Sequence, residues 1–211
     1  RNSDINKFIP AMKLIRKNGG YVFRMGNPKM EKLPKIDGII DYAHHKNRSD
    51  FLDVYLGAKS KFHLGTSSGY QAILEMFGVP NLVAETTQSL CLFSLKEHDL
   101  YLPRLLKNNQ TGKLISFSDL LMPKYAAVTT DVSNYYKKMN YSIIENTEND
   151  LIDATEEFID KLIHKNMVLG QLQQKYKELA NQVSAKYYPK KLIAFTSPPE
   201  KFLKRNLDLL K

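Results

Sequence analysis

The stretch of the chain best suited to chemistry is the pentapeptide GTSSG. Gly65 and Gly69 allow a ligand to approach the backbone closely, and Thr66, Ser67 and Ser68 between them carry hydroxyl groups. Such a turn directs backbone N–H groups and hydroxyls at one point, and a helix beginning there adds the positive end of its dipole. The pattern predicts a site for a phosphate or another anion. An ordinary strand-to-helix turn in an α/β domain has the same composition and remains the alternative.

The residues around this turn predict a strand before it and a helix after it. Residues 61–64 (KFHL) form the expected strand. Gly78 occupies the position of a helix C-cap, and Pro80 cannot continue the helix. Apolar side chains recur at helical spacing between the turn and the cap, at Tyr70, Ile73, Leu74 and Phe77.

Strands and helices alternate through the first half of the chain. Further strands are predicted at residues 21–25, 38–43 and 81–85; a polar connection joins the first two, and helices separate the later strands. This alternation predicts an α/β fold with a Rossmann-like parallel sheet flanked by helices. Ligands of such sheets bind in the loops that follow the carboxyl ends of the strands. The corresponding loops here are residues 25–28, 42–49 and 65–69.

The last third of the chain is predicted to be helical. Amphipathic patterns at residues 150–163 and 170–188 predict two long helices. The sequence SPPE, at residues 197–200, has the form of a capping box with proline at the first helical position and predicts the start of a final helix. We therefore divide the chain into a Rossmann-like domain, residues 1–165, and a helical C-terminal extension, residues 166–211.

Polar residues at the ends of the first two predicted strands are further candidates for ligand contact. Arg24 could clamp a phosphate through its bidentate fork, and Gly26 would permit the turn and keep the pocket open. Asp41 could accept a hydrogen bond from a ribose or sugar hydroxyl, and the Tyr42 ring could stack on a base. The alternatives are an Arg24–Asp41 ion pair, an aspartate that caps a turn and a tyrosine that packs in the core.

The charge of the chain favours an anionic partner. Lys and Arg total 31 against 22 Asp and Glu, which gives a formal net charge of +9. Nucleotide phosphates, nucleic acid and a membrane surface all fit this excess. The basic residues are spread along the chain without a nucleic-acid-binding motif, so we expect no nucleic-acid partner. The basic residues of the C-terminal tail are interpreted as a solvated face, with contact to membrane phospholipid as the alternative.

The cysteine content and hydropathy exclude several classes of protein. The single cysteine, Cys91, rules out an intramolecular disulfide and a thiolate metal cluster within one chain, and it fits a reducing compartment. No apolar run approaches the ~18 residues that span a bilayer, and the chain does not begin with a signal-peptide pattern. We expect a cytoplasmic protein, with peripheral contact at the inner face of the membrane as an option. No plain pair of carboxylates lies in a metal-binding loop, so no metal is expected.

With these stretches in view, the chain resembles a family of bacterial glycosyltransferases with a GT-B-like fold. The resemblance is good over residues 1–80, thin over residues 86–141 and weaker in the tail. Its motifs in the first part are RNSDI, FRMG, IIDYA, SDFLDVYLGAKSKFHLGTSSG and FGVP. Its motifs in the tail are NTENDLIDATEEFID and FLKRNLDLL.

The resemblance implies an enzyme that moves a sugar from a nucleotide-sugar to a surface glycan or a similar, lipid-linked acceptor. In GT-B enzymes a C-terminal Rossmann-like half holds the donor and an N-terminal half holds the acceptor; this chain looks like the C-terminal half only, so the catalytic base is expected in the other half. The loop that contains Asn146 is then expected to close over the base or sugar of the donor, with a helix cap as the alternative. Basic side chains and helix N-termini would stabilise the leaving diphosphate without a metal or cofactor.

Two other functions remain open from the sequence. A non-catalytic module could bind polyanions, either nucleic acid or an anionic membrane surface, through its net positive charge. A related GT-B-fold enzyme, such as a sugar-nucleotide epimerase, would need further catalytic carboxylates and histidines that the sequence does not place.

Overall fold

Short parallel strands alternate with helices along the first half of the molecule. A computed structural model describes residues 3–87, 89–128, 130–164, 168–190 and 192–211. In chain order the first elements are α1 (Ile9–Lys17), β1 (Val22–Phe23), β2 (Ile39–Ile40), α2 (Asp50–Ala58), β3 (His63–Gly65), α3 (Gly69–Met76), β4 (Asn81–Thr86) and β5 (Leu100–Pro103). The predicted α/β class is confirmed.

The second half is mainly helical. Its elements are β6 (Leu105–Asn108), α4 (Phe117–Leu120), α5 (Pro123–Ala126), α6 (Val132–Lys138), β7 (Tyr141–Ile144), α7 (Glu148–His164), α8 (Gln171–Tyr187) and α9 (Glu200–Arg205). Short 3-10 helices lie at Ile5–Phe8, Tyr42–His44, Ser89–Ser94 and Leu207–Leu209.

The described strands form three small sheets. Strands β3, β4 and β5 lie side by side and all run parallel, with Leu64 opposite Leu82 and Leu82 opposite Leu100. Strands β1 and β2 form a second parallel pair, whereas β6 and β7 pair in antiparallel fashion. Every residue of β4 is buried, as expected for a central parallel strand that is covered on both faces.

Serine hydroxyls fix where two of the helices begin. Ser49 precedes α2 and its side chain accepts a hydrogen bond from the N–H of Leu52, and Ser68 does the same for Gln71 at the start of α3. Each serine satisfies one of the N–H groups that a helix N-terminus leaves without an intrahelical partner. Ser68, the serine of the GTSSG turn nearest to α3, therefore has a structural role as a helix cap.

The hydrophobic core joins the parallel sheet to the C-terminal helices. Leu82 in β4 and Leu100 in β5 belong to the same buried cluster as Phe158 in α7, Tyr176 in α8 and Phe202 in α9. Residues on both sides of the predicted domain boundary thus contribute to one core. The boundary itself, between residues 165 and 166, lies outside the described residues. No helix in the described part of the chain is both long and apolar enough to cross a bilayer.

The predicted capping box at residues 197–200 is wrong. Helix α9 begins at Glu200 with Pro199 at the N-cap, and no side chain caps it. The Glu200 carboxylate instead accepts hydrogen bonds from the N–H groups of Leu172 and Gln173, at 3.3 and 3.2 Å. Because these N–H groups open α8, Glu200 complements the dipole of a neighbouring helix.

Candidate functional site

A small cleft lies at the carboxyl ends of β3, β4 and β5. This is the edge of a parallel sheet at which ligands of α/β proteins bind. Its described lining combines hydroxyl groups, one carboxylate, one guanidinium and one apolar side chain. These are Thr66, Ser67, Glu85, Thr86, Thr87, Arg104 and Val132. Such a surface suits a polar ligand rich in oxygen atoms.

The five residues of the GTSSG turn have different roles. Gly65 ends β3, and Thr66 and Ser67 line the cleft. Ser68 caps α3, where its Oγ accepts from the N–H of Gln71 at 3.2 Å, and Gly69 is the first residue of that helix. Sequence reasoning placed all five at one site, and two of them face it.

Close packing explains why residue 65 is a glycine. A Cβ atom at Gly65 would lie 2.7 Å from Nε2 of His63, which is too close for a side chain. Burial lowers the pKa of His63 to about 4, although its hydrogen bond to Asn81 acts in the opposite direction. The imidazole is therefore neutral at physiological pH and adds no charge beside the turn.

Glu85 and Arg104, both in the cleft lining, form an ion pair that the sequence analysis missed. Arg104 Nε donates a hydrogen bond to Glu85 Oε2, and the side chains are only 8% and 1% exposed. The other carboxylate oxygen, Oε1, is buried and accepts no hydrogen bond from the described residues. Burial raises the pKa of Glu85, although the hydrogen bond from Arg104 opposes this shift. Glu85, a residue of the cleft lining, thus has one buried acceptor atom without a partner among the described residues.

The backbone at Glu85 has an uncommon conformation that the side chain of Asn146 supports. Glu85 has φ +54°, in the left-handed region, and the β4–β5 register shifts between Val83 and Thr86. Asn146 Oδ1 accepts from the Glu85 N–H at 2.9 Å, and its Nδ2 donates to the carbonyl of Pro103 at 2.8 Å. The side-chain amide of Asn146 therefore provides hydrogen-bond partners for both β4 and β5 at the point where the pairing between these strands is interrupted. Irregularities of this kind redirect side chains near functional sites.

Arg24 and Asp41 lie in a separate polar cluster after β1 and β2. Arg24 Nη1 donates to Asp41 Oδ1 at 2.9 Å, and Nη2 donates to the carbonyl of Glu31 at 3.0 Å. Asp41 Oδ2 accepts from the N–H of Leu33 at 3.0 Å and lies 2.8 Å from His44 Nδ1. Burial alone would raise the pKa of Asp41, but the hydrogen bonds from Leu33, His44 and Arg24 hold it below its usual value.

The neighbouring candidates Gly26 and Tyr42 pack against this cluster. Tyr42 is 3% exposed, and its hydroxyl accepts from the N–H of Ser49 at 3.2 Å, so its ring is not presented to a ligand. Gly26 has φ +154°, and a Cβ atom there would lie 2.9 Å from Met30 Sδ. Arg24 and Asp41 form the ion pair considered as an alternative and Tyr42 is buried, whereas the Asp41 side chain does not cap the helical turn that follows it. The described lining of the cleft includes none of them.

Glu85 and Arg104 were missed because each is recognisable only through a strand partner. Glu85 stands at the end of an apolar run, LVAE, where a charged residue is conspicuous. Arg104 follows β5, and the sequence did not predict that strand. With β5 known, the adjacent carboxyl ends of three parallel strands bring both residues to the GTSSG turn.

No protein-family model, curated protein or solved structure matches the chain. The site is therefore assigned from its own geometry. Within the ranges that the structure describes, no three His, Cys, Asp or Glu side chains are arranged to hold a metal ion.

Proposed function

We propose that this chain is the donor-binding part of a glycosyltransferase and that the cleft holds the diphosphate of a nucleotide-sugar. The observation that carries the proposal is the position of Thr66 and Ser67 in one cleft with Arg104, at the carboxyl ends of parallel strands. Parallel strands alternating with helices also fit the Rossmann-like half of a GT-B enzyme, in which the donor occupies this edge.

The residues of the cleft supply the groups that a diphosphate needs. Thr66 and Ser67 donate O–H and backbone N–H groups to phosphate oxygens, and the N-terminus of α3 adds positive potential. Arg104 contributes a guanidinium that forms charge-assisted hydrogen bonds with phosphate. Donors fixed in this way stabilise the charge that develops on a leaving diphosphate.

Glu85 gives the cleft an acceptor for a ligand hydroxyl. Its Oε1 is buried and accepts no hydrogen bond from the described residues, so a ribose or sugar hydroxyl that meets it when the side chain turns toward the cleft gains a strong hydrogen bond. In this proposal the glycan or lipid-linked acceptor and the catalytic base belong to an N-terminal acceptor domain, and the protein works at the cytoplasmic face of a membrane.

Calorimetric titration with UDP, GDP and CDP tests the proposal. At least one of them should bind with a dissociation constant of about 1 mM or tighter, near −4 kcal/mol. Ser67→Ala should weaken that binding by about tenfold, because a hydrogen bond to a charged group contributes about 1.5 kcal/mol or more. Ser94→Ala, an exposed serine in the Ser89–Ser94 segment, is the matched control and should bind normally.

Two results would overturn the proposal. In the first, none of the three nucleotides binds the wild-type chain. In the second, binding responds steeply to salt, includes heparin and nucleic acid, and is equal in wild type and Ser67→Ala. The second result would favour a polyanion-binding module that acts through its net charge of +9.

A further inference from the structure

Four charged side chains form a connected series from the start of the molecule to the cleft. Lys7 Nζ donates to Glu145 Oε2, and Glu145 Oε1 lies 3.4 Å from Arg104 Nη2. Arg104 Nε in turn pairs with Glu85. Arg104 Nη2 also donates to Ser3 Oγ at 3.2 Å. The Glu145 carboxylate therefore lies between two cations, one of which lines the cleft.

The two carboxylates that contact Arg104 differ in their exposure to solvent. The Glu85 side chain is 1% exposed, whereas the Glu145 side chain is 45% exposed and makes the longer contact with Arg104. An exposed ion pair contributes little to stability, while removing a partner from a buried pair is strongly destabilising. Glu145 is thus the carboxylate that a competing anion can replace.

The mutual effects on pKa agree with a carboxylate seated among cations. The hydrogen bond with Glu145 raises the pKa of Lys7, and the same bond lowers the pKa of Glu145. Asp4 also faces this pair, but it is exposed and its carboxylate accepts from the N–H of Asn6 at 2.9 Å. A phosphate carries more charge and more acceptor oxygens than a carboxylate, so it can use the same donors more fully.

We propose that the Glu145 carboxylate occupies a phosphate subsite formed by Lys7, Arg104 and Ser3, and that a phosphate group of the ligand in the cleft replaces it. The inference rests on the proposed use of the cleft for a nucleoside diphosphate. In the exchange Glu145 rotates into solvent, and Lys7 and Arg104 transfer their hydrogen bonds to phosphate oxygens. No covalent bond changes.

Titrations of inorganic pyrophosphate and UDP into charge variants test the subsite. Glu145→Gln removes the competing charge and should tighten pyrophosphate binding by about threefold, the scale of one exposed ion pair. Lys7→Ala removes a cation and should weaken binding by about threefold. The matched controls are Glu97→Gln and Lys13→Ala, since both residues are exposed and neither lines the cleft. All variants should have circular dichroism spectra like that of wild type.

The outcomes separate this inference from the proposed function. If UDP binding depends on Ser67 but Glu145→Gln and Lys7→Ala behave like their controls, the subsite is wrong and the donor cleft stands. If neither UDP nor pyrophosphate binds wild type or Glu145→Gln, both proposals are overturned. Tighter binding by Glu145→Gln together with weaker binding by Lys7→Ala would support the subsite.

Discussion

In the described part of the molecule, two largely buried arginine–carboxylate pairs at strand ends differ in which of their polar atoms lack a hydrogen-bond partner. In the first pair, both oxygens of Asp41 accept hydrogen bonds and both terminal nitrogens of Arg24 donate them; among the described polar atoms only Arg24 Nε is buried without a partner there. In the second pair, one oxygen of Glu85 has no partner among the described residues, and the pair borders the cleft. The same residue types thus serve as a structural clamp in one place and as a candidate ligand contact in the other.

The largest expected effect tests whether the first pair is structural. Asp41→Ala leaves the guanidinium of Arg24, 2% exposed, without its counter-ion, and should reduce the free energy of unfolding by about 3 kcal/mol or more. Asp37→Ala, whose side chain is 97% exposed in its pair with Arg16, should cost less than about 1 kcal/mol. Urea denaturation measures both. Equal, small losses would show that the first cluster does not hold the fold together.

A smaller effect tests whether Asn146 supports the cleft. Asn146→Ala leaves the buried N–H of Glu85 and the carbonyl of Pro103 without this partner, which should cost about 1–3 kcal/mol. Because Glu85 then loses the contact that fixes its left-handed backbone, UDP affinity should also fall. Unfolding by urea and calorimetric titration follow the two quantities. A stable variant with normal affinity would contradict this role.

The smallest expected effect is the pH dependence of the first pair. The folded-state pKa of Asp41 lies below its unfolded value of 3.8, so its contribution to stability is present above that value and is lost as the pH falls through the folded pKa. The difference in unfolding free energy between wild type and Asp41→Asn should therefore shrink as the pH is lowered from 7 to 3. A constant difference over this range would show that the Asp41 charge is not what stabilises the cluster.

Local patterns predicted helices α1 to α3 and strands β1 to β4, but they missed the buried strand β5 and failed where a residue depends on a distant partner. Ser49 and Ser68 cap helices that their own neighbourhood signals. Glu200 carries the signal of a local cap, yet it binds the start of another helix. The position of Arg104 beside the cleft follows from the pairing of β5 with β4, which the sequence did not predict. The position of the turn at Gly65 could be predicted from the sequence, whereas the charged residues beside it, Glu85 and Arg104, could not.

The two bonds of Asn146 to backbone groups also constrain the timing of ligand binding. Asn146 directly follows Glu145, and its amide ties this point of the chain to Glu85 and Pro103. Because these bonds hold the neighbouring residue in place, we expect Glu145 to leave Arg104 by rotating its own side chain. Rotation of an exposed side chain takes picoseconds to nanoseconds, far faster than a loop rearrangement. We therefore expect anion association in a single kinetic phase, without the slow step that opening of a loop would add.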